Sequence, residues 1–433
     1  MGSKKQSRLV RNVSWIFIGN VVHSLLNFLL GIFVARKLSL NDNGILEYAA
    51  SWITFFTALS SLGFSSTITR EFSKYKDRMG DFLCGSMVTR AVAAVFAMLL
   101  LQVIVRILNP GEPFLYLIVF CQSTTILFNA LDIFVYWYRY QDKASLAAAF
   151  RLIAFLVSAL WRVAALLSGA GLVPYAIGTA AEILIYGLLM AFFFKRMYVG
   201  PFSYSLKTVR LMLKSSYPFI FSAVLSTVYS QADRIMIKSM VDNAAVALYS
   251  VAAHLAAAVS AIPTALIEGF RPDIMEYKDS NPYLYEKRLR QLYCIVFWSS
   301  VLYCLVITAF PTQILRLIYG EKYVAAAPVL ALIVWFSTFS YFGSINNMYM
   351  VSEGKNKWVQ VTTLSGALGN ILLNYLLIPL WGILGAAVAS LATQFIANFL
   401  LLAIIKDLRP ACKHMIKGIC FRDTGLQELL RKK

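Results

Sequence analysis

Residues 69–106 read TREFSKYKDRMGDFLCGSMVTRAVAAVFAMLLLQVIVR. Four basic residues, Arg70, Lys74, Lys76 and Arg78, precede an apolar run over 83–105 whose single charge is Arg90. About 20 consecutive apolar residues are needed to cross the hydrocarbon core of a bilayer as a helix. The run therefore reads as a spanning helix with a basic loop at one end and one cation inside it.

The same unit recurs along all 433 residues. Apolar segments fall near 13–35, 45–68, 83–106, 114–137, 147–169, 174–194, 215–240, 244–268, 291–314, 326–350, 358–379 and 383–405. The composition agrees: 59% hydrophobic, 14% charged, mean hydropathy +0.67. A soluble domain carries about a quarter charged residues. The expected class is an all-α polytopic membrane protein with twelve transmembrane helices.

The net charge of +19 would point to nucleic acid on a soluble protein. Here 30 of the 40 Lys/Arg fall on alternate connections, 1–12, 69–82, 138–146, 195–214, 269–290, 351–357 and 406–433. The opposite loops hold only Arg36, Lys37, Arg106, Arg316 and Lys322. Basic loops stay in the cytoplasm, so both termini are expected inside and no nucleic-acid partner is implied. No small-residue cleavage site follows the first segment, which reads as a retained helix. Four of the six cysteines lie in segments, which implies no disulfide framework. Cys412, His414 and Cys420 read as scattered tail residues, and no metal or cofactor is expected.

The exposed-side loops are too short for an extramembrane domain. The longer stretch 198–214 divides the chain into an N-terminal bundle (1–197) and a C-terminal bundle (215–406), with a basic tail (407–433). Asp42-Asn43-Gly44 after segment 1 matches Asp242-Asn243-Ala244 after segment 7, as a duplication predicts. Parallel repeats of this kind are related by an axis along the membrane normal. The tail mixes apolar and basic residues, as an interfacial helix or a solvated end would.

Five cations sit inside segments: Arg90, Arg151, Arg162, Arg234 and Lys238. Each costs about 2.5–3.5 kcal/mol near the bilayer centre even on a lenient scale. Arg151 and Lys238 are near enough to segment ends to snorkel, and Arg234 has Asp233 beside it. Arg90 and Arg162 lie deeper and are expected to face a water-filled cavity. The intramembrane acids Glu47, Asp132, Glu182 and Asp233 are candidates for carrying a coupling ion, with arginine pairing as the alternative; Glu268 lies near a segment end. Asn20, His23 and Asn27 share one helix face; Gln231 lies on the matching segment of the second half, and His254 on the segment after it. Gly366, Asn370, Asn374, Ser390 and Gln394 read as helix-packing positions.

Several stretches resemble the Wzx-like polysaccharide flippases of the multidrug/oligosaccharidyl-lipid/polysaccharide exporter superfamily. They are Ala35-Arg36-Lys37-Leu38 with Thr69-Arg70-Glu71, Tyr217-Pro218 with Gln231-Ala232-Asp233-Arg234, Tyr319-Gly320-Glu321-Lys322-Tyr323, and Gly382-Ile383-Leu384-Gly385. The resemblance implies two six-helix bundles forming a V around a central cavity in a bacterial inner membrane. It also implies flipping of undecaprenyl-pyrophosphate-linked oligosaccharide for surface polysaccharide, by alternating access driven by H+ or Na+. A polymerase and a chain-length regulator would be protein partners, beside membrane lipids. On this reading Arg90, Arg162, Arg234 and Arg151 hold the pyrophosphate, since guanidinium binds phosphate bidentately. No Walker A pattern is present, so ATP is not the direct drive. A multidrug cation antiporter of the same superfamily is the alternative, but the deep charges lean basic. A membrane-embedded glycan polymerase or transferase would need a large catalytic loop.

Overall fold

The computed structural model describes residues 2–425, apart from the side chains of 2–18, 20, 66, 76 and 218. No strand is found among the described residues. The chain divides between Gln231 and Ala232 into two compact units.

The first unit holds α1 (Gly2–Lys37), α2 (Leu40–Ser60), α3 (Ile68–Lys74), α4 (Met79–Leu108), α5 (Pro113–Phe128), α6 (Phe134–Tyr140), α7 (Ala144–Leu167), α8 (Leu172–Met197) and most of α9 (Leu206–Met240). Ser39 caps α2 by accepting from the Asp42 amide at 3.0 Å. Pro113 opens α5, where the missing N–H costs nothing. One end of the unit has an aromatic core of Phe64, Phe72, Phe134, Trp137, Tyr138 and Phe194. The first half of α9 is fastened to this end: Thr67 and Ser216 hydroxyls lie 2.7 Å apart, and Arg78 donates to Thr208 at 3.3 Å. That attachment explains why the unit boundary falls inside α9, beyond the stretch 198–214.

The second unit continues with α10 (Asn243–Ala257), α11 (Ala261–Ser280), α12 (Pro282–Ala309), α13 (Pro311–Ile318), α14 (Ala327–Ser352), α15 (Asn356–Trp381), α16 (Ile383–Phe395), α17 (Leu401–Ile404) and α18 (Arg409–Ile419). Asp242 caps α10 through the Ala245 amide at 2.7 Å. The two matched sequence stretches thus open α2 and α10. Between α16 and α17, residues Ile396–Leu400 form a π-helical turn. Its Asn398 carbonyl accepts from Asn346 at 2.9 Å, and Asn346 accepts from the Tyr293 hydroxyl at 2.6 Å. The core at this end combines Tyr285, Leu292, Phe342, Met348 and Leu402 with Met415 of α18.

Eight helices among the described residues are long and apolar enough to cross a membrane, and ten if each of two bent pairs is one span. One bent pair is α10 with α11, which meet at 43°. Helix also covers the expected segments in α1 and α2, which are not among those ten. Large apolar side chains point outward from spanning helices in both units, including Leu99 and Leu160 in the first and Leu302 and Leu372 in the second. Exposed apolar belts of this kind suit lipid rather than water.

Candidate functional site

Polar side chains gather at several places in the apolar bundles. In the first unit, Arg162 of α7 is 4% exposed. Its Nη2 donates to Glu182 Oε2 at 2.7 Å and to Ser158 Oγ at 2.8 Å, while Nε donates to the Ser158 carbonyl at 3.3 Å. The other Glu182 oxygen lies 3.1 Å from His23 Nε2 of α1. Ser158 also donates to Glu182 at 3.2 Å. The Phe155 ring meets the His23 ring edge-on at 5.1 Å and lies 5.7 Å from the Arg162 guanidinium carbon. Gly178 of α8 makes the close approach possible, since a Cβ there would lie 2.7 Å from Arg162 Cγ. Three helices therefore share one carboxylate. A buried ion pair of this kind is stable only when its remaining hydrogen-bonding capacity is satisfied, and here most of it is.

Arg90 of α4 is 6% exposed, and its Nε is buried without a hydrogen-bond partner. Asp132 and Tyr136 are its electrostatic neighbours. An unpaired buried N–H on a cation is costly, and a ligand oxygen would satisfy it.

The third cluster lies in the second unit around Asp233, 7% exposed. Its Oδ1 accepts from Asn374 Nδ2 at 2.6 Å and from Asn370 Nδ2 at 3.1 Å. Its Oδ2 accepts from Ser390 Oγ at 2.6 Å and from the Tyr249 hydroxyl. Asn370 also donates to Ser390 at 3.1 Å, and Asn374 to Asn370 Oδ1 at 3.1 Å. Asn374 Oδ1 is buried with no partner. The donors on α15 and α16 are brought together by Gly385, where a Cβ would come within 2.1 Å of the Leu377 carbonyl oxygen. Turning the Asn370 and Asn374 amides would exchange N for O. The cluster would then offer a carboxylate, two amide oxygens and a hydroxyl, the oxygen set that a small hard cation accepts.

The expected site residues thus separate. Arg162, Glu182 and His23 form one network, and Arg90 lies near Asp132. Arg162 is engaged with Glu182 rather than open to a cavity. Arg234 donates to Ser250 at 2.8 Å. Arg151 is exposed. It shares a face with Arg162, but lies about 16 Å along α7 from it, so the Glu182 that covers one does not cover the other. Glu47 is half-buried and acts electrostatically on Tyr175. Asn27 and His254 are exposed, and Gln231 donates to Ser230 at 3.3 Å. The Asn20 side chain lies outside the described residues. Asn370, Asn374 and Ser390, read from sequence as packing positions, pack α15 and α16 around Asp233 of α9. Their signal was the four-residue spacing of the two asparagines on one face of α15.

The model of the family described as polysaccharide biosynthesis protein matches residues 9–268, and a MatE model matches 218–376. The lipid II flippase MurJ in an inward closed conformation superposes with a TM-score of 0.76 at 15% identity, covering 94% of this chain and 90% of that one. An inward-facing multidrug resistance MATE family transporter of the MOP superfamily gives 0.67 at 15% identity, covering 94% and 96%. A MOP superfamily transporter from Pyrococcus furiosus gives 0.56 at 16% identity, covering 97% and 96%. A stretch of 120 residues is 30% identical to the uncharacterized membrane protein MJ1068 of Methanocaldococcus jannaschii, covering 28% of this chain. The match spans 23% of that relative's length.

Proposed function

Because the chain belongs to the polysaccharide biosynthesis protein family, we propose that it is a membrane transporter that flips a lipid-linked oligosaccharide between leaflets. The observation that carries this reading is Arg90, a deeply buried cation whose Nε has no protein partner. A pyrophosphate oxygen supplies the missing acceptor and the opposite charge together. A cationic drug supplies neither. The sugar and the pyrophosphate need a polar path, whereas a polyprenyl chain can remain in lipid, beside the exposed apolar belts.

Ion coupling is assigned to the Asp233 cluster, with Na+ or H+ as the transported partner. The support is a buried carboxylate whose identified donors are neutral, beside an amide oxygen without a partner. The Arg162–Glu182–His23 network links three helices of the first unit and serves as its conformational lock. The direction of transport, towards the outer leaflet, is the one that the resemblance to the polysaccharide flippases implies.

The test is complementation of surface glycan in cells lacking their own transporter. Arg90→Ala should abolish the glycan while protein abundance stays normal. Full activity of that variant would overturn the phosphate assignment. The MatE match over 218–376 favours a second reading, cation-coupled drug export. Efflux of a lipophilic cation dye by the wild type, with no glycan complementation, would select it.

A further inference from the structure

Outside these clusters, α11 and α14 line a half-open groove of about 250 Å³ that belongs wholly to the second unit. One wall carries Thr264, Glu268 and Arg271, at positions i, i+4 and i+7 of α11. The other carries Ser344 and Asn347, three residues apart on α14. Such spacings put each set on a single helix face. The floor is apolar: Ile267 is 3% exposed and Met348 is 1% exposed.

The two charges of the groove neutralise each other. Arg271 Nε and Nη2 donate to the two Glu268 carboxylate oxygens at 2.9 and 2.7 Å. The fork still leaves guanidinium N–H groups and carboxylate lone pairs free for a ligand. Pro272 has no N–H, so the helical bond to the Glu268 carbonyl is lost there. A Cβ on Gly269 would meet nothing within 4 Å, so the backbone beside that carbonyl is open.

Exposed hydroxyl, amide and charged groups on spanning helices are costly against hydrocarbon. This groove therefore faces water, unlike the Leu302 face of α12. It lies at the end of its spanning segment that leads into 269–290, the end the basic loops assign to the cytoplasm. Its size falls below the range of about 300–1,000 Å³ usual for drug-sized ligands, which suits one ring rather than an extended oligosaccharide.

We propose that the α11–α14 groove is a sugar subsite that takes one neutral pyranose ring of the lipid-linked headgroup. Vicinal ring hydroxyls donate to Glu268 and accept from Arg271, and Thr264, Ser344 and Asn347 read the remaining hydroxyls. A pyrophosphate is not the occupant, because Arg271, the one cation among the described lining residues, is already matched by a carboxylate. The assignment rests on the flippase reading and adds the groups that select the sugar.

The test uses the full-length protein in nanodiscs. Saturation-transfer NMR measures binding of methyl glycosides, a neutral hexose and a hexuronic acid, and a separate titration measures polyprenyl pyrophosphate without sugar. The neutral hexoside should bind the wild type, and S344V/N347L should weaken it at least tenfold. Polyprenyl pyrophosphate binding should change less than twofold. Thr264→Val, nearly isosteric, gives the same reading if the double variant fails to fold. Hexoside binding that is absent, or unchanged by these substitutions, while polyprenyl pyrophosphate still binds, would overturn the subsite and leave the flippase reading standing. Preference for the hexuronic acid would also overturn it, since an anion there implies a net positive pocket. Failure of the wild type to bind polyprenyl pyrophosphate would remove the flippase reading itself.

Discussion

Replacing Asp233 by alanine removes an acceptor that four side chains share. Asn370 keeps its bond to Ser390, and Asn374 keeps its bond to Asn370. The hydroxyls of Tyr249 and Ser390 lose the carboxylate. A buried donor left without a partner costs about 1–3 kcal/mol, so two put the loss near 2–6 kcal/mol. Interhelical hydrogen bonds inside membranes average only about 0.6 kcal/mol; four of them give about 2.4 kcal/mol, inside the same range. Asp233→Asn keeps the shape but leaves one oxygen where two are used, and should cost about half as much. The assay is thermal unfolding of the purified protein in nanodiscs, once in sodium and once in choline. A bound cation at a hundred times its dissociation constant stabilises the fold by about 2.7 kcal/mol. The wild type should therefore unfold at higher temperature in sodium, and Asp233→Asn should show no difference between the two salts. A loss under about 0.5 kcal/mol in Asp233→Ala would refute the hydrogen-bond accounting. A wild type indifferent to sodium would refute that ion and leave the proton, which a pH-dependent glycan yield would then have to reveal.

Other substitutions test the scaffold. Gly385→Ala brings a Cβ into the Leu377 carbonyl, backbone against backbone; it should cost about 1–3 kcal/mol and abolish any sodium-dependent stabilisation, checked by the same unfolding assay. Glu182→Gln weakens the hold on Arg162 and His23, and should lower the unfolding temperature while Asp233-dependent sodium stabilisation persists. Outside the spans, burial pushes the Glu353 carboxyl up, but bonds from Lys278 and Tyr285 outweigh it and hold the carboxyl below the usual range. The stabilisation is therefore complete above the ordinary carboxylate range and is lost as pH falls through the lowered value. Glu353→Gln should flatten that acid limb, by about 1 kcal/mol in a pH series of unfolding midpoints. Burial likewise lowers the His414 pKa, and Arg290 lies 3.3 Å from its Nδ1. The neutral ring is favoured in the fold, so acidification below the ordinary histidine range should loosen α18, seen as faster amide exchange there.

The membrane segments were legible because hydropathy is a one-dimensional signal. Every expected segment contains helix, and the basic residues outside the segments needed no tertiary knowledge. The sites were legible only in part. Arg162, Glu182 and His23 each stood out as polar groups in apolar runs, but 139 residues separate His23 from Arg162, and no local spacing predicts that one carboxylate serves both. Arg151 shows the converse, since helical periodicity gives the face and not the level along it. Asn370, Asn374 and Ser390 do join helices, as read, but the carboxylate they join around was hidden, because an amide or hydroxyl that packs helices has the same sequence signature as one that surrounds a carboxylate. Only the position of Asp233 on another helix distinguishes the two.

The π-helical turn at Ile396–Leu400 has a consequence for length. Such a turn accommodates one residue more than an α-helical turn. Deleting one residue there would restore regular pitch and leave the following helix close to its present azimuth, because the wide turn already absorbs the extra residue. Leu402, 1% exposed, would keep its place in the core, and Ile404, 58% exposed, its outward face. What the deletion would disturb is the Asn398 carbonyl, which accepts from Asn346 and would be drawn back towards the α-helical ladder. The extra residue therefore serves the contact between two helices and not the direction in which the chain leaves the bundle.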